Sequence, residues 1–260
     1  MKKFILFAVF SAYLAGMAGF AQVAQENREE WVKKYYIIKA GNLWFNSIRM
    51  AFPELTSSRT ATDTIPVFNA WDLPLEMSFK NLPDYTTGQI LPPTLGPGEE
   101  GKIIMTYDPL KKGTYGPVFE NIWLYTNDTS QPQKRLILNP NIREDFSGWT
   151  EEQLAEAPKI IFENETFIFD TISSGFQVEY SFAFRNEGKS DLIIRNVKAG
   201  CGCTATNPEK TLLGPGETSK IGIVFNTAGR NGLQHKTVEV IANDPAKPST
   251  VLTIKGYVRQ

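Results

Sequence analysis

The sequence has very few of the side chains that most often carry catalysis. Its 260 residues include one histidine, His235, and two cysteines, Cys201 and Cys203. A Ser-His-Asp or Cys-His arrangement would depend on His235 alone, which lies beside a predicted hairpin tip. A His-Glu-x-x-His metal motif does not occur. We therefore expect a protein that is not an enzyme and that uses no cofactor.

Neither sign of charge predominates. The chain has 27 basic and 28 acidic residues, for a formal net charge of −1. This balance gives no electrostatic reason to expect a nucleic acid or an anionic membrane surface as a partner. Hydrophobic residues make up 42% and aromatic residues 12% of the sequence, which is enough to form packed cores.

The one long apolar run lies at the N-terminus. Lys2 and Lys3 precede it, the run extends from Phe4 to Leu14, and Gly19-Phe20-Ala21 provides small residues for cleavage. Residues 1–21 are therefore predicted to be a secretory signal peptide, with an uncleaved anchor as the alternative. We expect an exported protein that is periplasmic, outer-membrane-associated or secreted, with no membrane span in the mature chain. Residues 22–36, rich in charge, are expected to be a lead-in with little structure.

Three landmarks occur twice in the same order. Leu95-Gly96-Pro97-Gly98-Glu99 recurs as Leu213-Gly214-Pro215-Gly216-Glu217, and Asn127-Asp128 recurs as Asn243-Asp244. The third pair is the segment 44–48 and the segment 168–172. Three matches in register indicate an internal duplication.

The second copy alternates apolar and polar residues in several short runs, as in Val178–Arg185 and Ile221–Phe225. About seven such runs separated by turn residues are typical of an antiparallel sandwich. The sequence thus predicts an all-β protein of two tandem immunoglobulin-like sandwiches, a diverged one at 37–142 and a second at 159–260. The linker 143–158 is expected to contain a short helix, because residues 150–153 (Thr-Glu-Glu-Gln) fit a capping box and Pro158 would stop it.

The second module resembles an exported bacterial family known as domain of unknown function 1573. The resemblance rests on Cys201-Gly202-Cys203-Thr204, on the turn at residues 213–217, on Asn243-Asp244 and on the closing Ile254-Lys255-Gly256. It covers about residues 159–258 and is weaker over 37–142. It implies an immunoglobulin-like module similar to the major-sperm-protein and Hydin type, whose members act as scaffolding and binding units, and a location in the cell envelope.

The cysteine pair allows three interpretations. Aligned without a gap back from the repeated turn, Cys203 falls on Tyr85, so the first module lacks both cysteines. Cys201 and Cys203 could be an inert loop disulfide or pair of thiols, a thiol–disulfide exchange site, or a ligand pair for a soft metal such as Cu(I). A closed zinc site needs four ligands, and His235 is the only nitrogen donor.

The leading hypothesis is a non-catalytic binding or assembly protein of the bacterial envelope, with a redox or Cu(I)-handling protein as the alternative. Its partner would be a protein or glycan, and its oligomeric state is open. Candidates for the binding surface are aromatic, although most could belong to the core: Trp44, Trp71, Tyr85, Tyr115 and Trp123. Thr64 and Thr171, both within Asp-Thr-Ile, resemble O-glycosylation acceptors of some exported bacterial proteins.

Overall fold

The protein is all-β, as predicted, and its strands form sandwiches in which most pairs are antiparallel. By contrast, β3 (Arg49–Met50) with β11 (Gln133–Leu138), and β14 (Thr166–Ile168) and β15 (Ile172–Ser173) with β22 (Ser249–Arg259), are parallel. The computed structural model describes residues 26–52, 55–200, 203–205 and 208–260. The predicted signal peptide and Cys201 lie outside these residues. None of the helices in the described ranges is long and apolar enough to cross a membrane.

The chain folds into two compact units. The first comprises the described residues up to Ala51, Thr62–Tyr107 and Phe119–Asn139. The second comprises Phe52–Ala61, Asp108–Val118 and Pro140–Gln260. Two segments that interrupt the first unit along the chain therefore belong to the second. The residue boundaries expected from sequence stay a prediction.

The first unit is a sandwich of two five-stranded sheets, ordered β1-β2-β4-β8-β6 and β3-β11-β10-β5-β7. Its elements are α1 (26–35), β1 (Ile38–Ala40), β2 (Leu43–Phe45), β3 (Arg49–Met50), β4 (Ala61–Asn69), β5 (Leu75–Phe79), β6 (Thr86–Leu91), β7 (Thr94–Leu95), β8 (Glu100–Tyr107), β10 (Glu120–Thr126) and β11 (Gln133–Leu138). Alternation places Ile103, Met105 and Tyr107 of β8 in the core, each with 0% exposure.

The second unit contains a second sandwich, with sheets ordered β13-β16-β20-β18 and β14-β22-β21-β17-β19. Its elements are α2 (Pro109–Lys112), β9 (Gly116–Pro117), β12 (Asn141–Ile142), α3 (Glu151–Ala155), β13 (Ile160–Phe162), β14 (Thr166–Ile168), β15 (Ile172–Ser173), β16 (Gln177–Asn186), β17 (Leu192–Ala199), β18 (Cys203–Ala205), β19 (Leu212–Leu213), β20 (Thr218–Asn226), β21 (Gly232–Ala242) and β22 (Ser249–Arg259). Its core packs Phe182, Phe184, Ile221 and Phe225.

Helix α1 corrects the expectation that residues 22–36 have little structure. Residues 26–35 are helical, and Val32 and Tyr36 keep only 5% and 1% exposure. Tyr36 directly follows the helix, and its N–H donates to the Val32 carbonyl at 2.9 Å, so the helix gains stability by burying the side that carries Val32 and Tyr36. The Tyr36 ring also stacks on Phe68, with 5.6 Å between centroids. The abundance of charge on the other faces hid this narrow apolar stripe in the sequence.

The predicted linker helix is present as α3. The Thr150 side chain accepts a hydrogen bond from the Gln153 N–H at 3.3 Å, and the Gln153 side chain accepts one from the Thr150 N–H at 2.9 Å. This reciprocal pair is the predicted capping box.

A buried asparagine supports each copy of the Leu-Gly-Pro-Gly-Glu turn. Asn69 Nδ2 donates to the carbonyls of Leu73, Leu95 and Gly96 at 2.9, 2.9 and 3.0 Å. Asn186 Nδ2 donates likewise to Ser190 and Leu213. Both asparagines are fully buried, so their amides satisfy carbonyls that water cannot reach.

The repeated Asn-Asp pair also has a structural role. Asn127 Oδ1 accepts from the Glu76 N–H at 2.9 Å, and Asn243 Oδ1 accepts from the Ile193 N–H at 2.7 Å, so each asparagine fixes one strand. The aspartates bind backbone as well: Asp128 accepts from the Asn42 N–H, and Asp244 from the Ile160 N–H. These landmarks persist in both copies because they hold the sandwich together.

The first unit contains a fully buried ion pair, whereas the most buried ion pair among the described residues of the second unit, Arg195 with Glu144, keeps some exposed surface. Lys134 Nζ lies 2.6 Å from Asp128 Oδ2, and neither side chain has exposed surface. Burial alone would raise the pKa of Asp128, but hydrogen bonds from Lys134, Ser130 and Asn42 outweigh it and hold this pKa well below its usual range. Asp128 and Asp244 are 116 residues apart in the two copies. At the same offset, the position equivalent to Lys134 is the buried Thr250.

Candidate functional site

Cys203 begins β18, the edge strand of one sheet of the second unit. The residue is half-buried, and its side chain packs against the hydrophobic core. Burial raises the pKa of the Cys203 thiol, and the nearby charges of Lys236 and Arg230 counteract this only in part. A raised pKa lowers the fraction of thiolate, which is the form of cysteine that attacks as a nucleophile and binds metals. The predicted redox or Cu(I) role of Cys201 and Cys203 stays a prediction.

The sheet register shows which residue of the first unit corresponds to Cys203. Cys203 pairs with Phe225, and Thr86 pairs with Tyr107, the residue equivalent to Phe225 at an offset of 118. The backbone agrees, because the Cys203 N–H donates to the Gly200 carbonyl and the Thr86 N–H donates to the Pro83 carbonyl. Cys203 therefore corresponds to Thr86, and the gap-free alignment with Tyr85 was wrong by one residue.

Metal ligands do not gather in the part of the chain that the structure describes. Within it, no group of three or more His, Cys, Asp or Glu side chains could hold a metal ion. His235 lies on β21, exposed and opposite Lys255 in the register with β22.

Of the five aromatic candidates for a binding surface, Trp71 and Tyr85 lie in the first unit and Tyr115 lies in the second. Tyr85 is half-buried and donates to Glu120 Oε1 at 3.1 Å. Trp71 is half-buried, and its backbone N–H donates to Asn69 Oδ1. Tyr115 lies with its ring 5.0 Å from the Arg195 guanidinium, while its carbonyl accepts from Asn196 Nδ2.

The other two aromatic candidates, Trp123 and Trp44, lie in different surroundings. Trp123 is 44% exposed on β10. Trp44 lines a groove of about 350 Å³ between α1 and the first sandwich, together with Arg28, Phe68 and Gly98. The binding roles of all five aromatic residues stay predictions.

The two candidate glycosylation residues are accessible. Thr64 on β4 and Thr171 before β15 are both exposed. Their modification stays a prediction, which an intact mass equal to that of the bare polypeptide, measured on protein from the native host, would contradict.

The segment Gly96–Lys102 has a spacing that the sequence reasoning overlooked. It reads Gly-Pro-Gly-Glu-Glu-Gly-Lys, the glycine and lysine spacing of a phosphate-binding loop, but Ile103 stands where that motif requires Ser or Thr. The structure places its first four residues between β7 and β8 and its last three, including Gly101 and Lys102, within strand β8, where a phosphate-binding loop would lead into a helix. Glu99 Oε2 accepts a hydrogen bond from the Gly96 N–H at 2.8 Å, so the protein's own carboxylate occupies a backbone donor that a phosphate would need. The segment is a strand connection.

An exposed apolar cluster lies on the outer face of the second unit's β14-β22-β21 sheet, and sequence reasoning missed it. Leu233 and Tyr257 are directly opposite in the register, with 85% and 44% exposure. Ile168 pairs with Lys255, two residues from Tyr257, so it shares this face and is 65% exposed. We call Ile168, Leu233 and Tyr257 the outer-face patch. Strand alternation in β21 and β22 was visible in the sequence, but only the register brings these three together.

Comparison with solved structures supports the fold. The chain resembles a protein of unknown function from Porphyromonas gingivalis W83, with a TM-score of 0.65, 17% identity, and coverage of 84% of this chain and 100% of that one. Weaker likenesses are the PapD-like domain 7 of human CEP192 (TM-score 0.32, 14% identity, 40% of this chain and 88% of that one) and the periplasmic chaperone SfaE (0.31, 14%, 84% and 100%). No curated protein matches the chain.

The family comparison covers the second sandwich. Residues 160–258 match the model described as "Protein of unknown function (DUF1573)". This range runs from the first residue of β13 to Val258, one residue before the end of β22, and includes β18 with Cys203. Residues 160–258, the second sandwich, are thus similar to the DUF1573 family of proteins of unknown function.

Proposed function

We propose that this chain is an exported, non-catalytic binding and assembly protein of the bacterial cell envelope, and that the outer-face patch contacts a protein partner. The observation that carries the proposal is the exposure of Leu233, Ile168 and Tyr257 on one sheet face. Large apolar side chains grouped on a surface and bordered by polar residues are typical of protein interaction sites.

The surroundings of the patch fit such a contact. Lys255 and His235 lie on the same face, next to members of the patch in the strand register, so polar and charged groups border the apolar side chains. Tyrosine is enriched at the centre of interfaces because it combines a large apolar ring with a hydroxyl that can hydrogen-bond. The sheet beneath is anchored by ten register pairs between β21 and β22, which gives the patch a rigid base.

The test places a photo-crosslinking amino acid at position 233 in the native host. The matched control is position 212, because Leu212 is 56% exposed but lies on the edge strand β19. We expect discrete crosslinked adducts from position 233 and none from 212, with Tyr257→Ser reducing the adduct. Equal labelling at both positions, or none at 233, would refute the role of the patch.

Export is tested separately. We expect cell fractionation to recover the protein from the envelope or the medium, and its mass to fit a chain that starts at Gln22. Recovery of the chain from the cytoplasm with residues 1–21 intact would refute the envelope location without affecting the crosslinking result.

A further inference from the structure

The edges of the sheets differ sharply in length. In the described residues, the outermost strands β1, β3, β7, β13, β14, β18 and β19 have two or three residues each. β6, the outermost strand of the first unit's β1-β2-β4-β8-β6 sheet, has six. An edge strand presents unpaired N–H and C=O groups, and proteins usually protect such edges by keeping them short.

β6 also lacks the other usual protections. Its sequence, Thr-Thr-Gly-Gln-Ile-Leu, contains no charged residue and no proline. The residues Thr87–Leu91 hydrogen-bond through their backbone to β8, and no further backbone partner for them occurs in the described part of the chain. Thr87, Gln89 and Leu91 are exposed on one face. The edge is thus long, neutral and open to a further strand.

Several longer strands that extend past a short outer neighbour carry a charge or a proline in the stretch that the neighbour leaves unpaired: β4 has Asp63 and Pro66, β11 has Arg135, β16 has Glu179 and β20 has Lys220. Two such stretches are neutral but shorter than β6: residues 77–79 of β5 extend past β7, and residues 249–252 of β22 extend past β14. β6 is therefore the longest neutral edge among the described strands.

We propose that β6 pairs with β6 of a second copy of this chain, antiparallel and about a two-fold axis at Gln89, so that two five-stranded sheets join into one. A two-fold axis normal to the sheet keeps each side chain on its own face. It therefore allows only those registers in which two residues opposite each other point to the same face of the joined sheet. Centred on Gln89, the pairs are Gln89 with Gln89, Thr87 with Leu91, and Gly88 with Ile90.

These pairs are compatible in size and chemistry. Two glutamine amides can donate to and accept from each other, and the threonine methyl can contact leucine. Gly88 and Ile90 would pair on the inner face, where the Phe79 ring covers Gly88. Because β6 has no charge, self-pairing incurs no like-charge repulsion, which is what distinguishes it from the charged strands above. The inference deepens the assembly role proposed above and rests on it.

The test measures the oligomeric state of the purified chain, under reducing conditions, by sedimentation velocity at increasing concentration. We expect a monomer–dimer equilibrium. Gln89→Lys and Gln89→Glu each place like charges directly opposite across the axis and should abolish the dimer, whereas a 1:1 mixture of the two variants should restore it. Gln133→Lys, which adds the same charge to an exposed position on β11, should dimerise like the wild type.

Hydrogen exchange locates the contact. The amides of Thr87–Leu91 that point away from β8 should become protected as the concentration rises, and those of β19 should not. A wild-type chain that stays monomeric, or a Gln89→Lys variant that dimerises as well as the wild type, overturns the proposal. Either result leaves the crosslinking test at position 233 unaffected, so the two proposals fail separately.

Discussion

Asn69 and Asn186 have the same hydrogen-bonding position in the two units, each beneath its own Leu-Gly-Pro-Gly-Glu turn. The backbone of each asparagine also pairs with its turn, since the Gly98 N–H donates to the Asn69 carbonyl and the Gly216 N–H donates to the Asn186 carbonyl, at 2.9 and 2.8 Å. The duplication therefore preserves a complete polar network as well as the sequence of the turn.

We expect Asn69→Ala to lower the free energy of unfolding by about 3 kcal/mol, because it leaves several buried carbonyls without a donor, at about 1–3 kcal/mol each before relaxation. Asn186→Ala should have a similar effect. Urea denaturation measures both. Asn231→Ala, at an exposed position, should change stability by less than about 0.5 kcal/mol. An Asn69→Ala variant as stable as this control would contradict the role of the network.

Lys134→Met should destabilise the first unit by about 3 kcal/mol, because it leaves the buried Asp128 carboxylate without its cation. The double variant Asp128→Asn/Lys134→Met should be less destabilised than the single one. Because the pKa of Asp128 is lower in the folded state than in the unfolded state, its ionised carboxylate stabilises the fold above the unfolded pKa of about 3.9. This stabilisation is lost as the pH falls through the pKa of Asp128 in the folded state.

The acid sensitivity of this pair can be measured by following unfolding from pH 7 downwards. Lys134→Met removes the strongest interaction that holds the Asp128 pKa down, so its acid transition should begin at a higher pH than that of the wild type. Coincident transitions would show that the ion pair does not set the pKa of Asp128.

Gly256→Ala should destabilise the second unit by about 1–3 kcal/mol. A Cβ at this position would lie 2.5 Å from the Phe169 ring and from its backbone carbonyl oxygen, so the strand or the ring must shift. Gly148→Ala is the matched control, because a Cβ there meets nothing within 4 Å. Thermal unfolding of the two variants compares them directly, and equal midpoints would show that the site accommodates a methyl group.

Cys203 should react slowly with alkylating agents near pH 7. In a Cys201→Ser variant, its rate should stay below that of a cysteine peptide and rise only at pH values above the usual thiol pKa of about 8.5, because burial raises its own. Intact mass after alkylation gives the rate. A rate at pH 7 above that of the peptide would favour the redox or metal-binding alternative.

For the wild-type chain, alkylation with and without prior reduction separates the remaining interpretations of Cys201 and Cys203. Two thiols that react without reductant would call for a Cu(I) titration. Thiols that appear only after reduction would identify a disulfide, and its potential would then separate an exchange site from an inert loop bond.

The fold could be predicted from the sequence further than the site. Strict alternation in β16 and β20 and the repeated turn were sufficient for two sandwiches, since period-two patterns and turn residues are local signals. The register could not be read in this way, and it is the register that places Leu233 beside Tyr257 and Cys203 at the position of Thr86. Helix α1 was missed because its apolar stripe consists of few residues among many charged ones.

The assignment of Phe52–Ala61 and Asp108–Val118 to the second unit has a consequence for how such a protein can evolve. Within that unit the Arg143 N–H donates to the Leu55 carbonyl, and the Val118 N–H donates to the Pro140 carbonyl. The chain therefore alternates between the units several times, and no single break yields two whole parts. The second sandwich itself is continuous from β13 to β22, so recombination at one crossover near Pro158 could exchange it whole, but it would be separated from the two earlier segments that pack in the same unit.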